Sequence, residues 1–314
     1  MTHSRASEGI VIRGHGKSFI VRCQNQNISC EIRGKLKHKT SSVTPVAVGD
    51  DVIISINPDG VGMIEDVKER RSMFFRAAKG LEAKKQIIAA NLDQLAIISS
   101  VKSPPLKTGL IDRFLIASEV GDIKPLIVIN KIDLEKSEFL SLVKKGYQAL
   151  GVPVCLVSAL TGEGCDKLEE LLKDHKTIFS GHSGVGKSAL LNRLIPGLGL
   201  KTGEVSSYSN RGVHTTSLVE LFVLPHGGYA IDSPGLKVLG TWKLERNEVA
   251  DHYPEFEKYL ADCRFTGCSH ISEPDCAVKE AVAKGEIPGF RYENYVAIYN
   301  SISVTPDYSL REKK

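Results

Sequence analysis

Two short segments combine residue types that suit nucleotide recognition. Asn130-Lys131-Ile132-Asp133 follows an apolar run and ends in a carboxylate, which can accept two hydrogen bonds from the N–H edge of guanine. Gly181-His182-Ser183-Gly184-Val185-Gly186-Lys187-Ser188 is a glycine-rich stretch whose backbone N–H groups can surround a polyphosphate. The two segments together predict a site for a guanine nucleotide.

The glycine-rich stretch also carries the side chains that a triphosphate and its metal ion require. Lys187 can reach the β- and γ-phosphates, and the Ser188 hydroxyl can bind Mg²⁺. A strand pattern precedes the stretch, and a helical pattern begins at Ala189, which we include among the nucleotide-binding residues. This order of strand, loop and helix is the context that a phosphate-binding loop needs.

Two further segments extend the predicted site. Asp232-Ser233-Pro234-Gly235 ends an apolar strand pattern, so Asp232 is placed to hold Mg²⁺ through water and the Gly235 N–H to contact the γ-phosphate. Ser158-Ala159 follows another apolar run and can contact the guanine oxygen through its backbone. Each segment alone also fits a simple polar loop after a buried strand. Four such signals along one alternating pattern favour a common site.

The polar segment Arg211-Gly212-Val213-His214-Thr215-Thr216 lies where a first switch is expected. A hydroxyl of Thr215 or of Thr216 could complete the Mg²⁺ shell, although two adjacent threonines are also typical of an edge strand. The choice between the two threonines stays open.

The sequence shows no obvious side chain that would orient the water molecule for GTP hydrolysis. Leu236 stands where Ras-like enzymes have the glutamine that orients this water, so we expect slow intrinsic hydrolysis. His214 is a candidate catalytic residue because an imidazole can position or deprotonate water near neutral pH. A structural or partner contact is the alternative role for His214.

A cluster of sulfur and nitrogen ligands lies in the C-terminal quarter. Cys263, Cys268, His270 and Cys276 fall within fourteen positions, and three thiolates with one imidazole form a closed tetrahedral set for Zn²⁺. Buried reduced cysteines with an incidental histidine are the alternative. A full coordination shell predicts a single structural ion without a catalytic role.

Composition limits the class of protein. The 314 residues are 42% hydrophobic and 25% charged, which is typical of a soluble globular protein of two or three domains. The N-terminus lacks the apolar run of a signal peptide, and the seven cysteines are an odd number. We therefore expect a cytoplasmic protein without membrane contact and without a disulfide framework. We also expect a monomer.

Residues before Gly49 predict a small basic barrel. They carry eight Lys or Arg against two acidic residues, and Arg33 to Lys39 is the densest run. Five short strand patterns lie between Gly9 and Val67, as in an oligonucleotide/oligosaccharide-binding (OB) barrel. The basic run could be a solvated loop or a contact with a nucleic-acid backbone.

The pattern changes to alternating strands and helices after Asn91, which predicts a parallel sheet with nucleotide-binding loops at the carboxyl ends of its strands.

The base-reading segment precedes the phosphate loop in this chain, whereas ordinary GTPases have the opposite order. A helix-rich tail follows. The expected architecture is an OB-like barrel (1–75), a circularly permuted α/β P-loop GTPase domain (76–240) and a zinc-binding helical domain (241–314).

The order of these motifs resembles that of the RsgA family, which includes YjeQ and YloQ. The resemblance also covers Gln86 to Gln94 and Arg291 to Tyr295. It implies a GTPase that binds the small ribosomal (30S) subunit and its 16S rRNA, assists late maturation, and hydrolyses GTP faster on that particle. Leu236 corresponds to the family's hydrophobic residue in place of glutamine. A permuted GTPase of the large subunit and a non-hydrolysing RNA-binding scaffold are the competing hypotheses.

Overall fold

The computed structural model describes residues 6–16, 18–34, 44–58, 60–78, 81–202, 219–233 and 244–302. The chain forms two compact units, of which the first combines Met1–Leu106 with Ala117–Gly240 and the second combines Lys107–Ile116 with Thr241–Lys314. Within the described ranges, no helix has the length and apolar character needed to cross a membrane.

The first unit begins with a closed five-stranded barrel. Its strands are β1 (Ser7–His15), β2 (Ser18–Cys23), β3 (Gln26–Ile32), β4 (Asp51–Ile56) and β5 (Gly62–Val67). The strands pair in the order β1, β2, β3, β5, β4 and back to β1, and only β3 and β5 run parallel. Alternate residues of β2, namely Phe19, Val21 and Cys23, are buried inside the barrel. The predicted five-stranded barrel is confirmed.

A hairpin that the sequence did not predict follows the barrel. It consists of β6 (Met73–Ala78) and β7 (Leu81–Ala90), which pair antiparallel with two register shifts. The sequence patterns predicted strands up to Val67 and again after Asn91, with none between them. Apolar residues on the hairpin, among them Phe74, Ile87 and Ala89, are buried. The hairpin is therefore a packed element, although its sequence contains many basic residues.

The α/β part of the first unit then follows the predicted alternation. Its elements are β8 (Gln94–Ser100), α1 (Thr108–Val120), β9 (Lys124–Asn130), α2 (Glu138–Ala149), β10 (Val154–Leu156), α3 (Cys165–Leu172), β11 (Lys176–Gly181), α4 (Lys187–Leu194), β12 (Glu220–Val223) and β13 (Tyr229–Asp232). The part of α1 up to Ile116 is counted with the second unit. The sheet order is β10, β9, β8, β11, β13, β12. All neighbours are parallel except β12, which runs antiparallel to β13.

Local sequence explains the helix that follows the base-reading segment. The Ser137 side chain caps α2 by accepting a hydrogen bond from the Leu140 N–H at 3.2 Å. Leu140, Val143 and Tyr147 lie three and four positions apart and are buried, so they form the apolar face of the helix.

The barrel and the α/β sheet are joined through buried polar contacts. The Gly49 carbonyl accepts hydrogen bonds from Lys176 Nζ at 3.0 Å and from Asn91 Nδ2 at 3.2 Å. The neighbouring Asp50 is fully buried and receives two 2.7 Å hydrogen bonds from the Arg70 guanidinium. Burial lowers the pKa of Lys176. Because buried charges need partners, these contacts favour one relative placement of the barrel and the sheet.

The second unit is helical, as predicted. Besides the first part of α1, its elements are two 3₁₀ helices (Arg246–His252 and Pro254–Phe256), α5 (Glu257–Leu260), α6 (Ala277–Ala283) and α7 (Gly289–Ser301). Its core contains Val249, Tyr253, Phe256, Val278, Tyr295 and Ile298.

A buried ion-pair cluster lies in this second unit. Arg291 contacts Asp112 at 2.5 Å and Glu255 at 2.7 Å, and its guanidinium lies 4.4 Å from the Tyr253 ring centroid. Asp112 also accepts a hydrogen bond from Asn294 Nδ2 at 2.8 Å. Removing one member of such a cluster would leave an uncompensated buried charge.

Candidate nucleotide site and metal centre

The Asn130 side chain connects three of the predicted nucleotide segments. Its Nδ2 donates to the Val185 carbonyl of the phosphate loop at 3.0 Å, and its Oδ1 accepts from the Ala159 N–H at 3.0 Å. Asn130 is buried, and β9 presents it at the carboxyl end of the sheet. One amide therefore holds the base-reading segment, the phosphate loop and Ser158-Ala159 together.

The Asp133 side chain is held by Ser158 of the Ser158-Ala159 segment. Ser158 Oγ donates a hydrogen bond to the exposed Asp133 carboxylate and also accepts one from the Thr161 N–H at 3.1 Å. Ser158 is fully buried, whereas Ile132 packs inward next to Asp133. The carboxylate thus has a fixed direction and an open side, which suits a base that donates two hydrogen bonds.

Backbone conformation explains the glycines of the phosphate loop. Gly181, Gly184 and Gly186 have φ angles of 156°, 83° and 94°, which other residues rarely adopt. A Cβ on Gly181 would lie 2.1 Å from the Ile98 carbonyl oxygen, and one on Gly186 would lie 2.3 Å from Asn130 Nδ2. His182 and Ser183 are exposed between these glycines, whereas Val185 is buried.

Lys187 at the start of α4 and Asp232 at the end of β13 interact electrostatically. Lys187 Nζ donates to the Gly181 carbonyl at 2.8 Å and to the His182 carbonyl at 3.2 Å. Burial lowers the pKa of Lys187, and the nearby Asp232 opposes that change. Burial raises the pKa of Asp232, Lys187 opposes the rise, and Glu220 adds to it. Each of these two charges partly compensates the other.

The donor set at the end of β13 fits a hydrated divalent cation. Asp232 Oδ1 is buried without a hydrogen-bond partner among the described residues, and such an atom needs a polar ligand. Ser188 and Ala189 are half-buried in the first turn of α4. Asp232 and Ser188 would hold Mg²⁺, which supplies positive charge to the phosphates when bound. His214, Thr215, Thr216 and Gly235, which the sequence placed in this site, lie outside the described residues, as does Leu236.

The predicted metal ligands converge in the second unit. The ligand atoms of Cys263, Cys268, His270 and Cys276 all lie within 4.8 Å of one another. Cys263 Sγ lies 3.9 Å from Cys276 Sγ, and His270 Nδ1 lies 3.4 Å from Cys276 Sγ. A zinc ion with Zn–S bonds of about 2.3 Å would separate its sulfur ligands by about 3.8 Å. The residues therefore fit a tetrahedral ion.

Neighbouring hydrogen bonds fix the loop that carries His270. Glu273 accepts from the Ser269 N–H at 2.9 Å and from the Ser269 hydroxyl at 2.7 Å. Tyr292 donates to the His270 carbonyl at 2.7 Å. His270 has a φ of 57°, and burial lowers the pKa of its imidazole. These contacts hold the imidazole toward the three thiols, as the orientation of a metal ligand requires.

Comparison with known proteins connects both sites to one family. Residues 8–64 match the family described as the RsgA N-terminal domain, and residues 67–242 match RsgA GTPase. The small ribosomal subunit biogenesis GTPase RsgA of Bacteroides fragilis is 40% identical over 296 residues, which are 93% of this chain and 96% of that protein. The chain belongs to the RsgA family of GTPases. It is therefore a GTP hydrolase.

Other relatives of this RsgA-family GTPase extend over similar lengths. The RsgA of Gemmatimonas aurantiaca is 38% identical, covering 95% of this chain and 98% of that protein. The crystal structure of YjeQ from Thermotoga maritima matches with a TM-score of 0.74 and 34% identity over 94% of this chain and 98% of that one. YloQ, described as a circularly permuted GTPase, matches with a TM-score of 0.69 and 29% identity over 96% of each chain. The predicted order of domains and the circular permutation are confirmed.

The nucleotide site of this RsgA-family GTPase includes a loop that sequence reasoning missed. Lys131 Nζ donates to the Gly184 carbonyl at 2.8 Å and also to the Ser103 carbonyl. Ser100 Oγ holds the same loop by donating to the Pro104 carbonyl at 2.8 Å. The only sequence signal was Ser103-Pro104-Pro105 directly after a strand, which indicates a turn but no partner.

Proposed function

We propose that this RsgA-family GTPase binds the 30S ribosomal subunit and its 16S rRNA, assists late maturation of that subunit, and hydrolyses GTP faster when bound to it. The proposal is carried by relatives named small ribosomal subunit biogenesis GTPase RsgA, which match along 93% of the chain. The basic N-terminal barrel supports it, because clustered cations on a small β module are typical of RNA contacts.

Each of three domains has its own proposed function. Residues 1–75 form the barrel that binds RNA, residues 76–240 form the GTPase domain, and residues 241–314 form a zinc domain. We also propose that the protein acts as a monomer in the cytoplasm, with GTP and GDP as its nucleotides.

The proposed nucleotide site uses the segments described above. Asp133 reads guanine, supported by Asn130, Lys131, Ile132, Ser158 and Ala159; Gly181 to Ala189 and Gly235 surround the phosphates; Ser188, Asp232 and one of Thr215 or Thr216 serve Mg²⁺. His214 is the proposed group that orients water, because Leu236 cannot do so. The cysteine and histidine cluster holds one structural Zn²⁺ with no open position for catalysis.

Single-turnover GTP hydrolysis tests the proposal directly. The rate is measured with the protein alone, with purified 30S subunits and with purified 50S subunits. We expect stimulation by 30S subunits alone, because the missing water-orienting environment is completed on that particle. Stimulation by 50S subunits alone would favour a large-subunit factor, and no stimulation by either particle would favour a scaffold whose nucleotide has a structural role.

A further inference from the structure

Three charged side chains lie in one row across the barrel and the sheet. Strand β12 pairs with β1 at Arg13 and Glu220, and it pairs with β13 at Glu220 and Asp232. Both pairings are antiparallel. Residues opposite each other in antiparallel strands project to the same face, with Cβ atoms about 4.5–5.5 Å apart. The row therefore runs from the barrel to the carboxylate that we assign to the Mg²⁺ site.

The middle residue of this row contacts charges of opposite sign on its two sides. Arg13 Nη2 donates to Glu220 Oε1 in an ion pair. Two carboxylates directly opposite each other concentrate negative charge at one place, so Glu220 adds to the charge of Asp232 unless a cation compensates it. Arg13, which belongs to the barrel, compensates the charge of Glu220 through this ion pair.

The geometry of β1 supports a specific role for Arg13. The register of the pairing between β1 and β2 shifts between Val11 and Arg13, as it does at a β-bulge, and bulges re-aim side chains. The Arg13 side chain is 49% exposed and that of Glu220 is 29% exposed. The guanidinium is accessible to an external phosphate group while it contacts Glu220.

We propose that Glu220 is a positioning residue for the Mg²⁺ ion of the nucleotide site and that Arg13 of the barrel sets its effective charge. A phosphate group on Arg13 would leave Glu220 unpaired beside Asp232, which adds negative charge near the ion. Because linkage is reciprocal, metal binding would in turn change the affinity of the barrel for that phosphate. The inference rests on the proposed assignment of Asp232.

The affinity for a fluorescent GDP analogue, measured across a range of Mg²⁺ concentrations, tests this inference. Partly exposed ion pairs are worth little, so we expect about two- to fivefold changes in the Mg²⁺ concentration for half-maximal effect. Glu220→Gln should raise that concentration because it removes negative charge, and Arg13→Gln should lower it because it leaves Glu220 unpaired. In a Glu220→Gln background, Arg13→Gln should have no further effect.

The chain offers a matched control for each substitution. Lys68 and Glu8 form an exposed ion pair at 2.7 Å that also involves β1, and the described contacts give neither a neighbour in the nucleotide site. Lys68→Gln and Glu8→Gln remove the same charges and should leave the Mg²⁺ dependence unchanged. Arg13→Lys should retain the wild-type value, and thermal unfolding checks that every variant folds.

Two results would overturn the inference. Arg13→Gln could behave like Lys68→Gln, or it could keep its full effect in the absence of Glu220. Asp232→Asn separates this failure from failure of the proposed site. If Asp232→Asn changes the Mg²⁺ dependence while Arg13→Gln and Glu220→Gln do not, only the charged row is rejected. If Asp232→Asn has no effect, the assigned site itself is wrong.

Discussion

Individual side chains in the nucleotide site are fixed by partners on other segments. Asn130 contacts both the phosphate loop and Ser158-Ala159, and Ser158 holds Asp133. Buried amide and hydroxyl groups tolerate few alternative arrangements, because each unmade hydrogen bond costs about 1–3 kcal/mol. The Asp133 carboxylate, which we propose reads guanine, is therefore held in position before a nucleotide binds.

Replacing Asp133 with Asn tests base recognition. The amide can still accept the Ser158 hydrogen bond but presents an NH₂ group to guanine, so GTP affinity should fall about ten- to hundredfold. Affinity for xanthosine triphosphate should rise, because the 2-oxo group of xanthine accepts where guanine donates. Competition against a fluorescent nucleotide measures both affinities. Glu135→Gln on the same loop is the control, and an unchanged GTP affinity in Asp133→Asn would contradict the assignment.

At the scale of elements, the phosphate loop depends on close backbone approach. Gly186 ends the loop with a φ of 94° and lies against Asn130, so the loop and β9 share one constraint. Gly151 also has a positive φ, of 75°, but no atom lies within 4 Å of a Cβ built there. Comparing substitutions at the two glycines therefore separates the effect of backbone strain from the effect of a steric contact.

Substitution of these two glycines by alanine should give different results. Gly151→Ala should cost about 1 kcal/mol of unfolding free energy and leave nucleotide affinity unchanged. Gly186→Ala should cost a similar strain and also displace Asn130, so nucleotide affinity should fall at least tenfold. Chemical denaturation and nucleotide titration measure the two effects. Equal nucleotide affinities for the two variants would show that the contact with Asn130 is unimportant.

At the scale of the whole molecule, each unit has its own source of stability. The first unit combines the barrel core, the sheet core and the buried contacts of Gly49 with Lys176 and Asn91. The second unit has a smaller apolar core, the Arg291 ion pairs and the metal cluster. Small helical modules commonly need such additional constraints.

Removal of the metal should therefore affect the second unit selectively. Purified protein should contain one zinc ion per chain, and a strong chelator should unfold residues 241–314 while nucleotide binding persists, because structural zinc supplies folding free energy directly. Elemental analysis and hydrogen exchange measure these results. Cys263→Ser should lose zinc, whereas Cys23→Ser, in the barrel core, should retain it. Purified wild-type protein without zinc would exclude the proposed centre.

Short sequence patterns predicted the GTPase chemistry of this protein. The proposed nucleotide segments and metal ligands could be predicted because such functions require particular residue types at short spacings. Their order identified the permuted GTPase, and alternating apolar residues predicted most strands. The roles of His214, Thr215 and Thr216 stay predictions, because these residues lie outside the described ranges.

The contacts between residues distant in sequence depend on the fold and could not be predicted from local patterns. The Lys176 contact with Gly49 and the row of Arg13, Glu220 and Asp232 each join segments far apart in the chain. Strand register and sheet order set these contacts, and neither is encoded in a local pattern. A one-residue shift in pairing would turn the same side chains to the opposite face.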